Sequence, residues 1–380
     1  MFCVFLLLFT LTGRFPGAYS FQETRGVHDS MITKVMPKTM KAVGLYKYLP
    51  IAETESLLNL EVPIPTLRST DLLVEVKATA VNPIDTKQRA PKPVPPAQQF
   101  EQFPRILGWD GAGIIASKGE NTKYFNVGDE VFFTADLRRN GSNAQYVAID
   151  EVMVGVKPKN FTFEQAAAMP LTTVTAYESL YDRLLLSEND KGKTLLIINS
   201  GGGVGSVASQ LAKNLGLKVI GTAARPETEA FSLQHGVDIV LNHTKDLLPQ
   251  LEAHGYGNGV EFILVNYDPY PYWNTIMAAA KPQGRICLIV DSSGLVDIRQ
   301  LKDKSLTLVS EMMATRIKYD TEDKNRYHEI FEDVTRMFEA GVLKSTLTKT
   351  MSPINAENLR EAHRLLEEKK VIGKIVLSGF

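Results

Sequence analysis

The stretch Ser200-Gly201-Gly202-Gly203-Val204-Gly205 puts four glycines into six residues. An apolar run, Leu195–Asn199, precedes it, and a helix-length segment, Val204–Leu215, follows and is stopped by Gly216. Glycine removes the Cβ that keeps a backbone away from an anion, and the amides of a helix's first turn lack intrahelical acceptors. A strand, a glycine turn and a helix in that order can therefore cradle a pyrophosphate. Ser200, Gly202, Gly203, Val204 and Gly205 are the candidate contacts. Ser200 stands where the G-x-G-x-x-G pattern has its first glycine, and a tight turn that binds nothing is the alternative.

The next strand, "KVIGT", ends in Ala223-Ala224-Arg225. A carboxylate at that point would accept from a ribose 2′-hydroxyl and repel a 2′-phosphate, whereas a guanidinium binds the phosphate through paired hydrogen bonds. Arg225 thus predicts NADPH rather than NADH as cofactor. The alternative is a solvent-facing arginine before Pro226.

These residues need a scaffold. From Met40 to about Asn160, short β-rich runs such as "LLVEVKATAVN" and "GAGIIASKG" are separated by Gly, Pro, Asn and Asp, which predicts a small irregular β-barrel or sandwich. "RAPKPVPPAQQFEQFP" (89–104) carries five prolines and predicts a surface excursion. From Thr162 the pattern turns helical, and then strands alternate with helices. Runs at Leu195–Asn199, Lys218–Thr222, Asp238–Leu241, Glu261–Asn266, Ile286–Val290 and Leu306–Val309 read as buried strands, with helix-length segments between the first five. That alternation predicts a doubly wound parallel sheet. A helix at about 324–340, a strand near Leu347, a helix at 355–368 and a last strand in "GKIVLSG" follow.

Composition excludes several functions. Lys+Arg 42 against Asp+Glu 43 leaves no basic excess for nucleic acid or an anionic membrane. The two cysteines, Cys3 and Cys287, cannot build a Cys-rich zinc site. The histidines, at 28, 235, 243, 254, 328 and 363, show no metal-like spacing and are each expected on a surface or loop. Residues 1–20 contain an apolar run too short to span a bilayer, then Ala18-Tyr19-Ser20, which fits a small-x-small cleavage site. They read as signal-peptide-like, and 21–39 as transit-like. Together they resemble two-part plastid presequences; ordinary secretion, or a cytoplasmic protein started at a later Met, are the alternatives.

"VNPIDTKQR" (81–89), "LGWDGAGII" (107–115), "VGDEV" (127–131), "AAAMPLTTVTAYESL" (166–180), "GGGVGSVASQLAK" (201–213) and "GKIVL" (373–377) resemble the medium-chain dehydrogenase/reductase superfamily over nearly all of Met40–Phe380. Within it the chain resembles the zinc-free quinone-oxidoreductase branch. "LKDKSLTLVSEMM" followed by "TRIKYDTED" is similar to proteins called zinc-type alcohol dehydrogenase-like. The resemblance implies an α/β fold: a GroES-like β-rich catalytic domain at 40–163 and 313–380, and a doubly wound Rossmann nucleotide-binding domain at 164–312. Zinc alcohol dehydrogenases of the superfamily place a Cys at the Asn82-Pro83 position, a Gly-His-Glu at Gly108-Trp109-Asp110 and a Cys or Asp near Pro170. Asn, Trp and Pro are not usable zinc ligands, so no metal site is expected.

By the same resemblance, Asn82 lies on the floor of the cleft near the nicotinamide and positions substrate or cofactor; a turn asparagine before Pro83 is the alternative. Asp85 and Trp109 flank the cleft, Trp109 as a wall. Thr172, Thr173 and Thr175 precede a helix resembling the one that touches the nicotinamide half, with Thr173 the candidate hydroxyl. Asn266 and Val290 end the fourth and fifth strands, where the carboxyl edge of the sheet meets the nicotinamide ribose. Tyr267, Tyr270, Tyr272 and Tyr319 are proton donors, stacking partners or packing residues. The expected activity is NADPH-dependent hydride transfer to a quinone or α,β-unsaturated carbonyl. Its competitors are an NADPH-binding structural or regulatory protein and a zinc alcohol dehydrogenase. The partners expected are a small electrophilic acceptor and a second copy of the chain, with no nucleic acid and no membrane span.

Overall fold

The computed structural model describes residues 37–91 and 104–380. The signal-like run, nearly all of the transit-like segment and most of the proline-rich excursion lie outside the described residues.

In the β-rich part, β1 (Thr39–Leu45), β2 (Leu58–Pro63) and, after β3 (Asp71–Ala80) and helix α1 (Pro83–Arg89), β4 (Arg105–Ile106) make a three-stranded sheet in the order β2-β1-β4. Strands β5 (Asp110–Lys118), β6 (Glu130–Thr134), β7 (Tyr146–Asp150) and β8 (Val154–Val156) follow, then helices α2 (Phe163–Ala167) and α3 (Pro170–Tyr177). Helix α1 has too few residues to show a 3.6-residue period in sequence; Pro83 at its first turn fixes φ for the helix without losing a hydrogen bond.

The alternating part follows. Its elements are β9 (Thr194–Ile198), α4 (Gly203–Asn214), β10 (Lys218–Ala223), α5 (Pro226–Gln234), β11 (Ile239–Asn242), α6 (Leu247–Ala253), β12 (Val260–Val265), α7 (Trp273–Ala279), β13 (Ala280–Leu288), α8 (Gln300–Asp303) and β14 (Thr307–Ser310). The six strands are all parallel, in the order β11-β10-β9-β12-β13-β14. Side-chain alternation along β9 divides the interior: Leu195 and Ile197 enter one hydrophobic cluster, Leu196 and Ile198 the other. Being covered on both faces is why such a strand reads as a continuous apolar run.

The chain then returns to the β-rich part through α9 (Thr315–Tyr319), α10 (Arg326–Glu339), β15 (Leu347–Met351), α11 (Ala356–Glu367) and β16 (Lys374–Ser378). Strand β16 enters a seven-stranded sheet in the order β15-β16-β3-β5-β6-β8, with β7 paired to β3.

One histidine departs from the surface-or-loop expectation, and a second keeps to a turn but is not exposed. His363 is fully buried, because α11 turns Leu359, Ala362 and His363 onto one inward face. His235, at the end of α5, is also buried, with Nδ1 2.8 Å from the Phe231 carbonyl oxygen. His28 lies outside the described residues.

Candidate active site

In the parallel sheet, β10 and β11 are added on one side of β9 and β12, β13 and β14 on the other. The crevice at the carboxyl ends of β9 and β12 is therefore the switch point where ligands of such sheets bind. The glycine turn leaves β9 there. Gly202 caps α4, whose first turn holds no acidic residue. A Cβ on Gly205 would lie 2.5 Å from the Asn199 carbonyl oxygen and 2.7 Å from Ser200 Cα, so the turn closes only with glycine. A Cβ on Gly203 would meet Thr172 Cγ2 at 2.8 Å and Lys374 Cδ at 3.1 Å.

Ser200 serves the fold of this turn rather than its open side. Its amide donates to the Thr222 carbonyl oxygen at 3.1 Å, and its buried hydroxyl lies 2.9 Å from Ser232 Oγ. Arg225 caps α5 with its side chain exposed, two residues past the end of β10. Thr228 holds the backbone of Arg225, donating from its hydroxyl to the carbonyl oxygen at 2.8 Å.

Thr172, Thr173 and Thr175 lie inside helix α3, not ahead of it. Two of their hydroxyls are spent on the helix: Thr172 donates to the Met169 carbonyl oxygen at 3.2 Å and Thr175 to that of Leu171 at 2.7 Å. Thr173 Oγ1 is buried with no partner in the protein. So are both side-chain atoms of Asn266, one residue beyond β12. Buried polar atoms are usually paired, so these three are available to a polar group of a ligand. Val290, half-buried, lies two residues past β13. Glycine cradle, first-turn amides, Thr173 and Asn266 together fit a nicotinamide dinucleotide.

Next to this cradle sits a buried charge cluster. Lys374 Nζ lies 2.8 Å from Asp110 Oδ2 and also donates to Asn82 Oδ1. Asn82 Nδ2 donates to the same Asp110 oxygen at 2.8 Å, and the Leu171 amide donates to Asp110 Oδ1 at 2.6 Å. Asp110 therefore joins the start of α1, the start of β16 and the first turn of α3. A carboxylate at a helix N-terminus is favoured by the helix dipole. Burial raises the Asp110 carboxyl above its ordinary range, and Lys374 opposes it. Asp85 is fully buried, accepting from the amides of Asn82 at 2.8 Å and Gly108 at 3.0 Å. Burial pushes it up to about 7. Trp109 is sealed in the core and presents no surface to a ligand, with the Arg105 guanidinium 5.8 Å from its ring.

This donor set does not fit zinc. Of the two carboxylates beside Asn82, Asp110 already holds an ammonium and Asp85 is bonded to two backbone amides, and the side-chain amide of Asn82 is bonded on both its oxygen and its nitrogen. Among the described residues no three His, Cys, Asp or Glu side chains are grouped to hold a metal ion. Cys287 is a buried free thiol, pushed up to about 12 by burial.

Sequence reasoning missed Asp110 and Lys374 as members of the site. The available signals were a lone Lys in the apolar run "GKIVL" and an Asp heading "GAGII".

Residues 68–174 match the family described as alcohol dehydrogenase GroES-like domain, and 203–330 that described as zinc-binding dehydrogenase. A zinc-type alcohol dehydrogenase-like protein of Staphylococcus epidermidis is 40% identical over 342 residues, covering 89% of this chain and 99% of its own. A solved structure from Rhizobium etli is 39% identical, with TM-score 0.84, covering 90% of this chain and 99% of its own. The chloroplastic NADPH-dependent alkenal/one oxidoreductase of Arabidopsis thaliana is 32% identical over 225 residues, 57% of this chain and 55% of its own.

The Staphylococcus relatives correct one expectation. Bacterial proteins have no plastid targeting, so the plastid destination read from the first residues is overturned. No helix among the described residues is long and apolar enough to cross a membrane. With a GroES-like part, a doubly wound nucleotide-type sheet and relatives matched over nearly their full length, the chain is an oxidoreductase of the medium-chain dehydrogenase/reductase superfamily.

Proposed function

We propose that this oxidoreductase transfers a hydride from NADPH to a quinone or an α,β-unsaturated carbonyl without catalytic zinc. The observation that carries the reading is the Asn82–Asp110–Lys374 cluster: at the Asn82 and Asp110 positions, where the resemblance puts zinc-site residues, stand an amide and a carboxylate already bound to an ammonium. Without a Lewis acid to hold the alkoxide, oxidation of an unactivated alcohol is poorly served. A conjugated acceptor is already electron-poor, and delocalisation spreads the charge that arrives with the hydride, so positioning and one donor suffice.

When bound, the dinucleotide supplies the hydride. The first-turn amides of α4 hold its pyrophosphate, and Arg225 pairs with the 2′-phosphate. Thr173 Oγ1 and the Asn266 amide serve the nicotinamide half, with Val290 beside it. Asp110 keeps α3, and so Thr173, in place. Solvent supplies the balancing proton. The likeness to an NADPH-dependent alkenal/one oxidoreductase supports both the cofactor and the acceptor class. The domain limits 40–163 with 313–380, and 164–312, are proposed with this reading. So is a homodimer through an edge strand of the nucleotide sheet, such as β14, whose outer edge pairs with no strand among the described residues.

The test follows NADPH absorbance, with NADH in parallel, against quinones and 2-alkenals. Prompt oxidation of NADPH by one class, with NADH much poorer, supports the reading. Binding of NADPH with no oxidation by any acceptor would overturn it in favour of a binding protein, and alcohol oxidation dependent on stoichiometric zinc would overturn it outright.

A further inference from the structure

The segment from Lys369 to Gly373 crosses the switch point of the parallel sheet. At one end the Gly373 amide donates to the Gly201 carbonyl oxygen at 3.1 Å, on the glycine turn after β9. At the other, Lys369 Nζ lies 2.5 Å from the hydroxyl of Tyr267, two residues past the end of β12, and 4.9 Å from the centre of its ring. Strands β9 and β12 are neighbours, Ile198 beside Val265. The segment therefore runs over the crevice in which the dinucleotide lies.

Two features set Lys369 apart. First, its backbone is left-handed, with φ 56°. It follows α11 in a Schellman-type ending: the Lys369 amide donates to the Leu366 carbonyl oxygen at 3.0 Å, and the Lys370 amide to that of Leu365 at 3.1 Å. Glycine takes that position without strain, and a lysine does not. A side chain kept at a strained position points to a use for it. Second, the neighbouring charges are already matched: Lys370 pairs with Glu368 at 2.6 Å, and Glu368 also with Arg364. Lys369 instead rests on the Tyr267 hydroxyl, with no carboxylate paired to it among the described residues, so its ammonium can take an anion.

We infer that Lys369 is a cofactor clasp: its ammonium exchanges the Tyr267 hydroxyl for the nicotinamide-side phosphate of the pyrophosphate. The side follows from the sheet. Arg225, after β10, takes the adenosine end, so the other half of the cofactor runs over β12, where Tyr267 stands. The inference rests on the NADPH reading above. No bond is made or broken; a cation changes its hydrogen-bond acceptor.

The experiment measures, on the full chain, the dissociation constants of NADPH and of adenosine 2′,5′-bisphosphate, which lacks the nicotinamide-side phosphate. Lys369→Gly relieves the left-handed strain while removing the cation, so the variant folds. It is expected to weaken NADPH about tenfold, the worth of one charge-assisted hydrogen bond. The bisphosphate should bind unchanged, with Tm equal to or above that of the wild type. Lys369→Arg is expected to keep most of the NADPH affinity. NADPH affinity within twofold of wild type in Lys369→Gly would overturn the clasp, as would equal losses for both ligands. A wild-type chain that binds neither ligand would instead sink the NADPH reading on which the clasp depends.

Discussion

Lys374 Nζ lies 2.8 Å from Asp110 Oδ2, and neither side chain is more than 4% exposed. Two opposite charges taken out of water this completely depend on each other. Separating them is costly even though the pair as a whole contributes little.

Lys374→Met should therefore destabilise the protein by about 3–5 kcal/mol, the usual cost of stranding one buried charge. Adding Asp110→Asn should recover part of that loss, because the stranded carboxylate is gone. Urea unfolding of both single variants and the double variant gives the coupling. A strictly additive pair would contradict the geometry.

Asp85 and His363 should tilt the pH–stability curve in opposite directions. Burial, the largest influence, pushes Asp85 up to about 7, against the amides of Asn82 and Gly108 and the Lys374 ammonium. An unfolded Asp titrates near about 3.9, so between about pH 4 and 7 the native state holds a proton the unfolded chain has released. Its contribution thus falls as pH rises through that window, by at most about 1.4 kcal/mol per unit. Asp85→Asn should remove this slope. It should also cost about 1–3 kcal/mol outright, since an amide nitrogen would face a backbone donor.

Burial, aided by Arg89, pushes the His363 imidazole down to about 3. An unfolded His titrates near about 6.5, so from about pH 6.5 down to 3 the unfolded chain binds the extra proton. Stability is lost on acidification across that range. His363→Leu should flatten the loss, as read from unfolding free energies at a series of pH values.

Gly205→Ala puts a methyl 2.5 Å from the Asn199 carbonyl oxygen, closer than the turn can accept without moving. The chain should stay folded, since most of the interior is untouched. Calorimetry should show NADPH binding weakened by about tenfold or more, because shifted first-turn amides lose aligned hydrogen bonds.

Arg225→Ala should weaken NADPH by about ten- to a hundredfold and leave NADH nearly unchanged, since only the 2′-phosphate is lost as a partner. Wild-type NADPH affinity should also fall with added salt, as the arginine is exposed. Equal losses for the two cofactors would remove Arg225 as the phosphate reader.

The parallel sheet was legible because its signal is local. Buried β strands are short apolar runs, and Gly216 marks where α4 must stop. Arg225 could be placed because it follows such a strand directly. What escaped was long-range or conformational. Asp110 and Lys374 meet only because β16 returns beside β3, and no local pattern announces that return. Ser200 sits in the right motif, yet its hydroxyl turns inward to Ser232, a choice of rotamer. Trp109, which the resemblance places as a wall of the cleft, is taken into the core by packing. His363 needed the helix phase of α11, which apolar spacing gives only once the partners of that face are known.

Strand β16 also sets a timetable. It pairs with β3 through Val376 and Ala80, and the segment just before it completes the glycine turn. A ribosome adding about 5–20 residues per second delivers β16 some tens of seconds after β3. Until then β3 lacks one neighbour, Asp110 has no ammonium, and the phosphate turn lacks its bond from Gly373. The cofactor cradle is thus among the last parts of the molecule to be finished, and a chain cut short just before Gly373 would carry the whole nucleotide sheet with an incomplete site.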